Sequence, residues 1–262
     1  MIREAIILAS GLSSRLKRAG IKVPKFALNV GGFPLISYPI NSLLLAGIEH
    51  FTIVVAEKYY DYASNLIENN FSNIEVNLIT NRHPELENGY SLILALKNIS
   101  DEYALVSMAD HIYPIEIPLN LIECFKHCSF IDILLGGDSS PMYVDLNEAT
   151  RILADSEGKV VEVGKGISSF NFIDVGVMIV GKNVVDELAL RDLNMYLPLS
   201  DLILAAVKYG LSVKICDVSG IPWTEMDTYT DYIELLYGMK NNLLKIVKTL
   251  WEEAKYGRSD NR

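Results

Sequence analysis

An α/β fold, with a mostly parallel sheet and helices on both faces, is predicted by three observations. Apolar runs of strand length alternate with amphipathic stretches of helix length through the first half of the chain. Strand and helix alternating at that pace imply right-handed βαβ crossovers. Half of the 262 residues are hydrophobic and 21% are charged, so the chain can bury a sizeable core.

Taken in order, Glu4–Ala9 reads as a buried strand. Phe33–Ala46 reads as a helix that Gly47 stops. Phe51–Ala56 is strand-like, Tyr59–Asn69 helix-like, and Ile74–Ile79 alternates as a strand does. Gly89–Ile99 has a helical pattern and Tyr103–Met108 is a second buried strand. After about residue 115 the pattern loosens. Ile131–Leu135 is a short strand. Arg151–Ala154 and Val160–Val163 flank "DSEGK", a hairpin signal with Gly158 at positive φ. Asn171–Val180 is strand-like, residues 182–190 and 199–209 are helical, and 212–217 is a strand. From Asp227 onward the chain is largely helical. With no repeat, low-complexity stretch or linker, the simplest organisation is one α/β core with a β-rich region in the second half.

A net charge of −10 excludes general nucleic-acid binding, which needs a cationic surface. No apolar run reaches the roughly 18–20 residues of a membrane span. The N-terminus has no leader pattern, so the expected location is the cytoplasm. Cys124, Cys128 and Cys216 are odd in number, which argues against a disulfide framework and for buried thiols. Cys124 and Cys128 could share a helix face and bind metal, but no second Cys or His pair completes a four-ligand set unless His127 and a distant residue join.

Against that acidic background, "LASGLSSRLKRAGIKVPK" packs Arg15, Lys17, Arg18, Lys22 and Lys25 just after the first strand. Loops at the carboxyl ends of parallel strands line the ligand crevice. Gly11, with small Ser10, Ser13 and Ser14, lets backbone N–H groups approach phosphate oxygens. Arg15 offers a bidentate phosphate donor and Lys25 a point charge. The spacing fits neither the P-loop nor the dinucleotide pattern. The bland alternative is a solvated surface loop.

"ALVSMADHIY" ends a buried strand on Asp110, a turn cap or a metal-binding carboxylate. His111 is adjacent and points elsewhere. In "IPWTEMDTYTDYIELL", Pro222 and Trp223 suggest a turn, and Thr228 with Asp231 forms a capping box just after Asp227. In "ENGYSL", Asn88 and Gly89 read as a loop leading into a helix that Ser91 caps. Lys165 is a solvated hairpin charge or a phosphate ligand.

"LASGLSSRL", followed by "PKFAL" and "PLISYPINSLLLAGI", resembles the signature of the sugar-phosphate nucleotidyltransferases. "ENGYSL", "MADHIY" and "VVEVGKGISSFNFIDVGVMI" are similar to the archaeal CTP:inositol-1-phosphate cytidylyltransferases and, more weakly, to phosphocholine cytidylyltransferases. The resemblance runs from Ala5 to about Leu236. Ser10 stands where the family has Ala, Ser13 where it has Gly, and Val175 where the inositol enzymes have Thr. It implies a Rossmann-like nucleotidyltransferase domain over 1–236, with a nucleotide half to about 115, a smaller β-rich acceptor half over 116–236, and a helical extension over 237–262.

The reaction it implies joins CTP and inositol-1-phosphate into CDP-inositol and pyrophosphate, for inositol phospholipid or di-myo-inositol phosphate synthesis. Leu8, Ala9, Ser10, Gly11, Ser13, Ser14, Arg15, Lys25, Asn88, Gly89 and Ser91 would bind the nucleotide. Glu87, Lys165, Asp174 and Gly176 would bind the acceptor. Asp110 and Asp227 would hold Mg²⁺, and Arg15 and Lys25 would be catalytic. In many relatives this enzyme is fused to a membrane CDP-alcohol phosphatidyltransferase. That implies either a stand-alone form here or one part of a longer chain, and a link to the membrane surface through that partner. Leu243, Leu244, Ile246, Val247, Leu250 and Trp251 would be core, a homodimer contact or a membrane-facing surface. The alternatives are another nucleoside triphosphate with a sugar-1-phosphate, a phosphocholine acceptor caged by Tyr59, Tyr60, Tyr90 and Tyr113, or a non-catalytic nucleotide-sensing subunit. The last would be expected to lose Arg15, Lys25, Asp110 or Asp227, and all four are present.

Overall fold

The computed structural model describes residues 2–128, 130–189 and 196–259, with residues 189 and 254–259 described as backbone only. Residue 190 of the expected 182–190 helix, and residues 1, 129, 190–195 and 260–262 of the expected domains, lie outside these.

The elements run β1 (Glu4–Ala9), α1 (Ser14–Arg18), β2 (Asn29–Val30), β3 (Phe33–Pro34), α2 (Ser37–Leu45), β4 (His50–Ala56), α3 (Tyr60–Asn70), β5 (Glu75–Asn81), α4 (Glu87–Leu96), β6 (Tyr103–Met108), β7 (His111–Ile112) and α5 (Glu116–Lys126). They continue with β8 (Ile133–Asp138), β9 (Arg151–Ala154), β10 (Val160–Gly164), β11 (Phe172–Gly181), α6 (Asn183–Ala189), α7 (Leu199–Lys208), β12 (Val213–Asp217), β13 (Thr224–Glu225), α8 (Tyr229–Tyr237) and α9 (Asn241–Ser259).

One nine-stranded sheet holds the two halves together. In the first half β5, β4, β1 and β6 lie side by side and parallel. Helices cover both faces, so both sides of each strand are apolar. In β1, Ala5, Ile7 and Ala9 face one buried cluster and Ile6 and Leu8 the other. The β-rich second half is a continuation of this sheet. Its long strand β11 joins β6 antiparallel and also pairs antiparallel with β8 and β9, while β12 runs parallel to β8.

Three expectations shift. The helix expected from Phe33 begins at Ser37, because Phe33 and Pro34 pair with Val30 and Asn29 across a turn of two glycines at φ 57° and 101°. The helix expected from Gly89 begins at Glu87, so Asn88 and Gly89 lie within its first turn. Ser91 is not its cap: the hydroxyl bonds back to the Glu87 carbonyl at 3.3 Å. The cysteines also differ from expectation. Cys124 on α5 and Cys216 on β12 form a disulfide across 92 residues, and Cys128 is free and half-buried. The odd count fixed only that one thiol is left over. Packing of α5 against β8 and β12 brings the other two together.

Leu243, Leu244, Val247 and Trp251 of α9 are core residues packed against Val30, Leu35 and Tyr38, whereas Ile246 is 42% exposed. Each such buried side chain contributes on the order of 1.5–3 kcal/mol. Among the described residues no helix is long and apolar enough to cross a membrane.

Candidate active site

Strands β1 and β6 are parallel neighbours, so the loops after Ala9 and Met108 leave the same edge of the sheet. A cleft of about 430 Å³ opens there. Its walls include Leu8, Ala9, Gly11, Ser13, Ser14, Arg15 and Lys25 from the first loop, Glu87 and Asn88 from α4, and Asp110 and His111 after β6. Lys165, Asp174, Gly176, Glu225 and Asp227 complete it from the second half of the chain.

Three residues expected at the nucleotide stand behind this wall. Ser10 is buried, with its Oγ 2.6 Å from the Oγ of Ser91, which also accepts from Asn81 Nδ2 at 3.0 Å. These hydroxyls bolt the first loop to α4; they do not face the cleft. Gly89 is buried against residue 197: its N–H donates to the Leu197 carbonyl at 2.9 Å, and an added Cβ would meet that oxygen at 2.6 Å. Serine and glycine look alike in sequence whether they touch a ligand or a neighbouring element.

Ser13 has the left-handed backbone that its family glycine would favour, φ 55° and ψ 32°. For serine that costs about 1–2 kcal/mol. The side chain gives something back: its Oγ accepts the Lys25 N–H at 3.0 Å, tying the loop to the lysine segment.

The Lys25 ammonium bonds both Asp110 Oδ2 and, at 2.6 Å, Asp227 Oδ1. Two carboxylates far apart in sequence thus converge on one cationic point. Burial works to lower the Lys25 pKa, but the charges of Asp110 and Asp227 outweigh it and hold the group above its ordinary value. Burial works to raise that of Asp110, yet Lys25 and the His111 bond keep it well below the usual carboxylate range. Arg15 reaches Asp227 Oδ2 at 3.3 Å with one nitrogen and Glu148 Oε2 at 3.1 Å with the other.

His111 belongs to this cluster, although strand geometry suggested it points elsewhere. Its Nδ1 lies 2.8 Å from Asp110 Oδ1 and its Nε2 3.8 Å from Glu225 Oε2. The ring stacks on Trp223 at 5.9 Å and 9°. Trp223 in turn donates to buried Asp138 at 2.8 Å. Gly176, at φ 68°, makes room for the imidazole: a Cβ there would sit 2.4 Å from His111 Nε2. Burial lowers the His111 pKa, but its bond to Asp110 and the charges of Asp110, Glu225 and Asp174 raise it overall. Asp227 precedes the expected capping box, which is complete: Thr228 Oγ1 accepts the Asp231 N–H at 3.1 Å and Asp231 accepts the Thr228 N–H at 2.9 Å.

Glu225 and Glu148 escaped the sequence reading. Glu225 carried a signal, since extended backbone puts positions 225 and 227 on one face. Glu148 sits in a segment without periodic pattern and carried none. Tyr59, Tyr60, Tyr90 and Tyr113 do not line the cleft, and Tyr113 is fully buried with its hydroxyl on Ser107.

Two converging carboxylates are hard oxygen donors of the kind that hold a divalent cation together with substrate phosphates. Among the described residues no set of three His, Cys, Asp or Glu side chains is arranged to hold a metal alone. A cation between Asp110 and Asp227 would therefore draw on the ligand's phosphate oxygens.

Lys25 and Arg15 beside a converging carboxylate pair, in an open α/β crevice, are the parts a nucleotidyltransferase site requires. The chain belongs to the family of MobA-like NTP transferase domains, whose model matches residues 5–142. Within that family its likeness is narrower. It superposes on the inositol-1-phosphate CTP transferase from T. maritima with a TM-score of 0.84 and 30% identity, over 94% of this chain and 96% of that one. It is 33% identical over 233 residues to the bifunctional IPC transferase and DIPP synthase of Aquifex aeolicus, and 30% identical over 232 residues to that of Thermococcus kodakarensis. These matches cover 88% and 86% of this chain, which spans about half the length of those relatives (50% and 48%).

Proposed function

We propose that the protein transfers a cytidylyl group from CTP to inositol-1-phosphate, giving CDP-inositol and pyrophosphate. The observation that carries this reading is the meeting of Arg15, Lys25, Asp110 and Asp227 in one cleft with Lys165 and Asp174, in a chain alike end to end to an inositol-1-phosphate CTP transferase. Residues to about 115 supply most of the nucleotide side and residues 116–236 most of the acceptor side, and the helical extension from residue 237 is described as far as Ser259.

An oxygen of the acceptor phosphate attacks the α-phosphorus of CTP in line. The new P–O bond forms as the bond to the pyrophosphate oxygen breaks, and the electron pair leaves with pyrophosphate. The attacking phosphate is already anionic, so no general base is needed. Catalysis is then positioning and charge stabilisation. Lys25 stabilises charge at the transferred phosphoryl group and Arg15 binds the departing pyrophosphate. Lys165 fixes the acceptor phosphate, and Asp174 accepts from an inositol hydroxyl. Asp110 and Asp227 would hold Mg²⁺, which supplies Lewis-acid polarisation of the phosphate when bound. The same reading places the enzyme in the cytoplasm with CTP, coupled at the membrane surface to a CDP-alcohol phosphatidyltransferase that consumes its product.

A pyrophosphate-release assay tests it, crossing CTP, UTP, dTTP and GTP with inositol-1-phosphate, phosphocholine, glucose-1-phosphate and N-acetylglucosamine-1-phosphate. Turnover should be greatest by far for CTP with inositol-1-phosphate. Faster release with any other pair would overturn the reading.

A further inference from the structure

We propose that Arg151 is a positioning residue that holds Lys165 in place for the acceptor phosphate, by stapling together the two loops that form the acceptor side of the cleft. The inference rests on the acceptor role given to Lys165 above.

Arg151 opens β9 and is paired on both sides, with Ile173 of β11 and with Gly164 of β10. Its backbone therefore sits between the strands that lead to Lys165 and to Asp174. Its guanidinium does not line the cleft. One nitrogen, Nη1, donates to the Ile167 carbonyl at 3.1 Å, in the loop that begins with Lys165. The other, Nη2, reaches the Leu146 carbonyl at 3.3 Å, in the segment that carries cleft residues Glu148 and Thr150. The guanidinium carbon Cζ lies 4.8 Å from the centroid of the Phe170 ring, which belongs to the same loop as Lys165.

The supports around it point the same way. Asn171 exchanges two 2.9 Å bonds with the backbone of Ala154 and pins the end of the loop. The Thr150 carbonyl accepts the Asp174 N–H at 2.9 Å. The Arg151 bond to Ile167 ties the loop to β9 two residues from Lys165. Among the described residues Arg151 Nε is buried without a partner, a cost that its two forward bonds and the contact with Phe170 work against. A planar fork reaches the two carbonyls with two separate nitrogens while its face meets the ring, whereas a lysine ammonium has a single nitrogen to place.

Steady-state KM values for acceptor and CTP should be measured for Arg151→Ala, Arg151→Lys, Lys165→Ala and the double variant Arg151→Ala/Lys165→Ala. The acceptor is whichever one the wild-type enzyme turns over fastest, so a different acceptor would overturn the functional reading without spoiling this test. Arg151→Ala should raise the acceptor KM about tenfold and leave the CTP KM within about twofold. Arg151→Lys should fail to restore it. In the Lys165→Ala background, Arg151→Ala should add less than about twofold, because coupled residues are not additive. An equal rise in both KM values, or an undiminished effect without Lys165, would overturn the proposal. Should Arg151→Ala fail to fold by thermal melting, Arg151→Lys keeps the stem and charge and carries the same test alone and with Lys165→Ala.

Discussion

The two halves of the cleft are built in different ways. On the proposed nucleotide side, Asp110 directly follows the end of β6, a parallel strand buried on both faces. Its position is set by the core. On the acceptor side, Lys165 and Glu148 ride on loops after an antiparallel ladder, held by side chain-to-backbone bonds such as those of Arg151 and Asn171. A site on strand ends is rigid by packing, while a site on loops needs its own ties. Substitutions at the strand ends should therefore damage turnover, and substitutions among the loops should damage recognition of one substrate.

The largest expected effect is at the strand end. Asp110→Asn should lower kcat by about 10³-fold in a protein that still folds, with a lower melting temperature because the stabilising charge beside Lys25 and His111 is lost. Near-normal turnover would remove Asp110 from the site. Gly176→Ala probes whether the halves are independent. Its new Cβ would drive into His111, the support of Asp110, and so a change in the acceptor half should reach the nucleotide half. Turnover should fall about 10²-fold with displacement of that order, and stability by about 1–3 kcal/mol. Loss of acceptor affinity alone would show that His111 and Asp110 do not depend on that packing.

Asp174→Asn should trade stability against recognition. Burial raises the Asp174 pKa, against an opposing bond from the Gly176 N–H. The folded protein thus keeps this proton to higher pH than the unfolded chain, and stability falls as pH rises from the ordinary aspartate range through the raised value. Asparagine removes that cost and can still accept from Gly176. At pH 7 the variant should melt higher than wild type, with an acceptor KM about tenfold greater. A lower melting point would mean that the carboxylate is a structural anchor. The smallest effect belongs to Ser13→Gly. Relief of the left-handed serine gains about 1 kcal/mol and loss of the Lys25 tie costs about the same. The net change by chemical denaturation should stay within about 1 kcal/mol.

The same contrast governs what could be read from sequence. Strands β1 and β6 begin and end where the apolar runs do, because burial on both faces leaves an unbroken apolar signature. The capping box at Thr228 and Asp231 was legible because its chemistry is local. Ser10, Gly89 and Ser91 read in the sequence as ligand-binding residues, yet they face neighbouring elements, since small residues serve close packing and close ligand approach alike. The Cys124–Cys216 bond, the Glu148 contact with Arg15 and the Arg151 staple join residues distant in sequence, and local pattern holds no trace of them.

The division between the halves is tested most directly by one pair of variants assayed together, Arg15→Ala and Lys165→Ala, with KM measured for both substrates. Arg15→Ala should raise the CTP KM about tenfold and leave that of inositol-1-phosphate within about twofold, and Lys165→Ala should do the reverse. Equal increases for both substrates in either variant would contradict a cleft divided between nucleotide and acceptor.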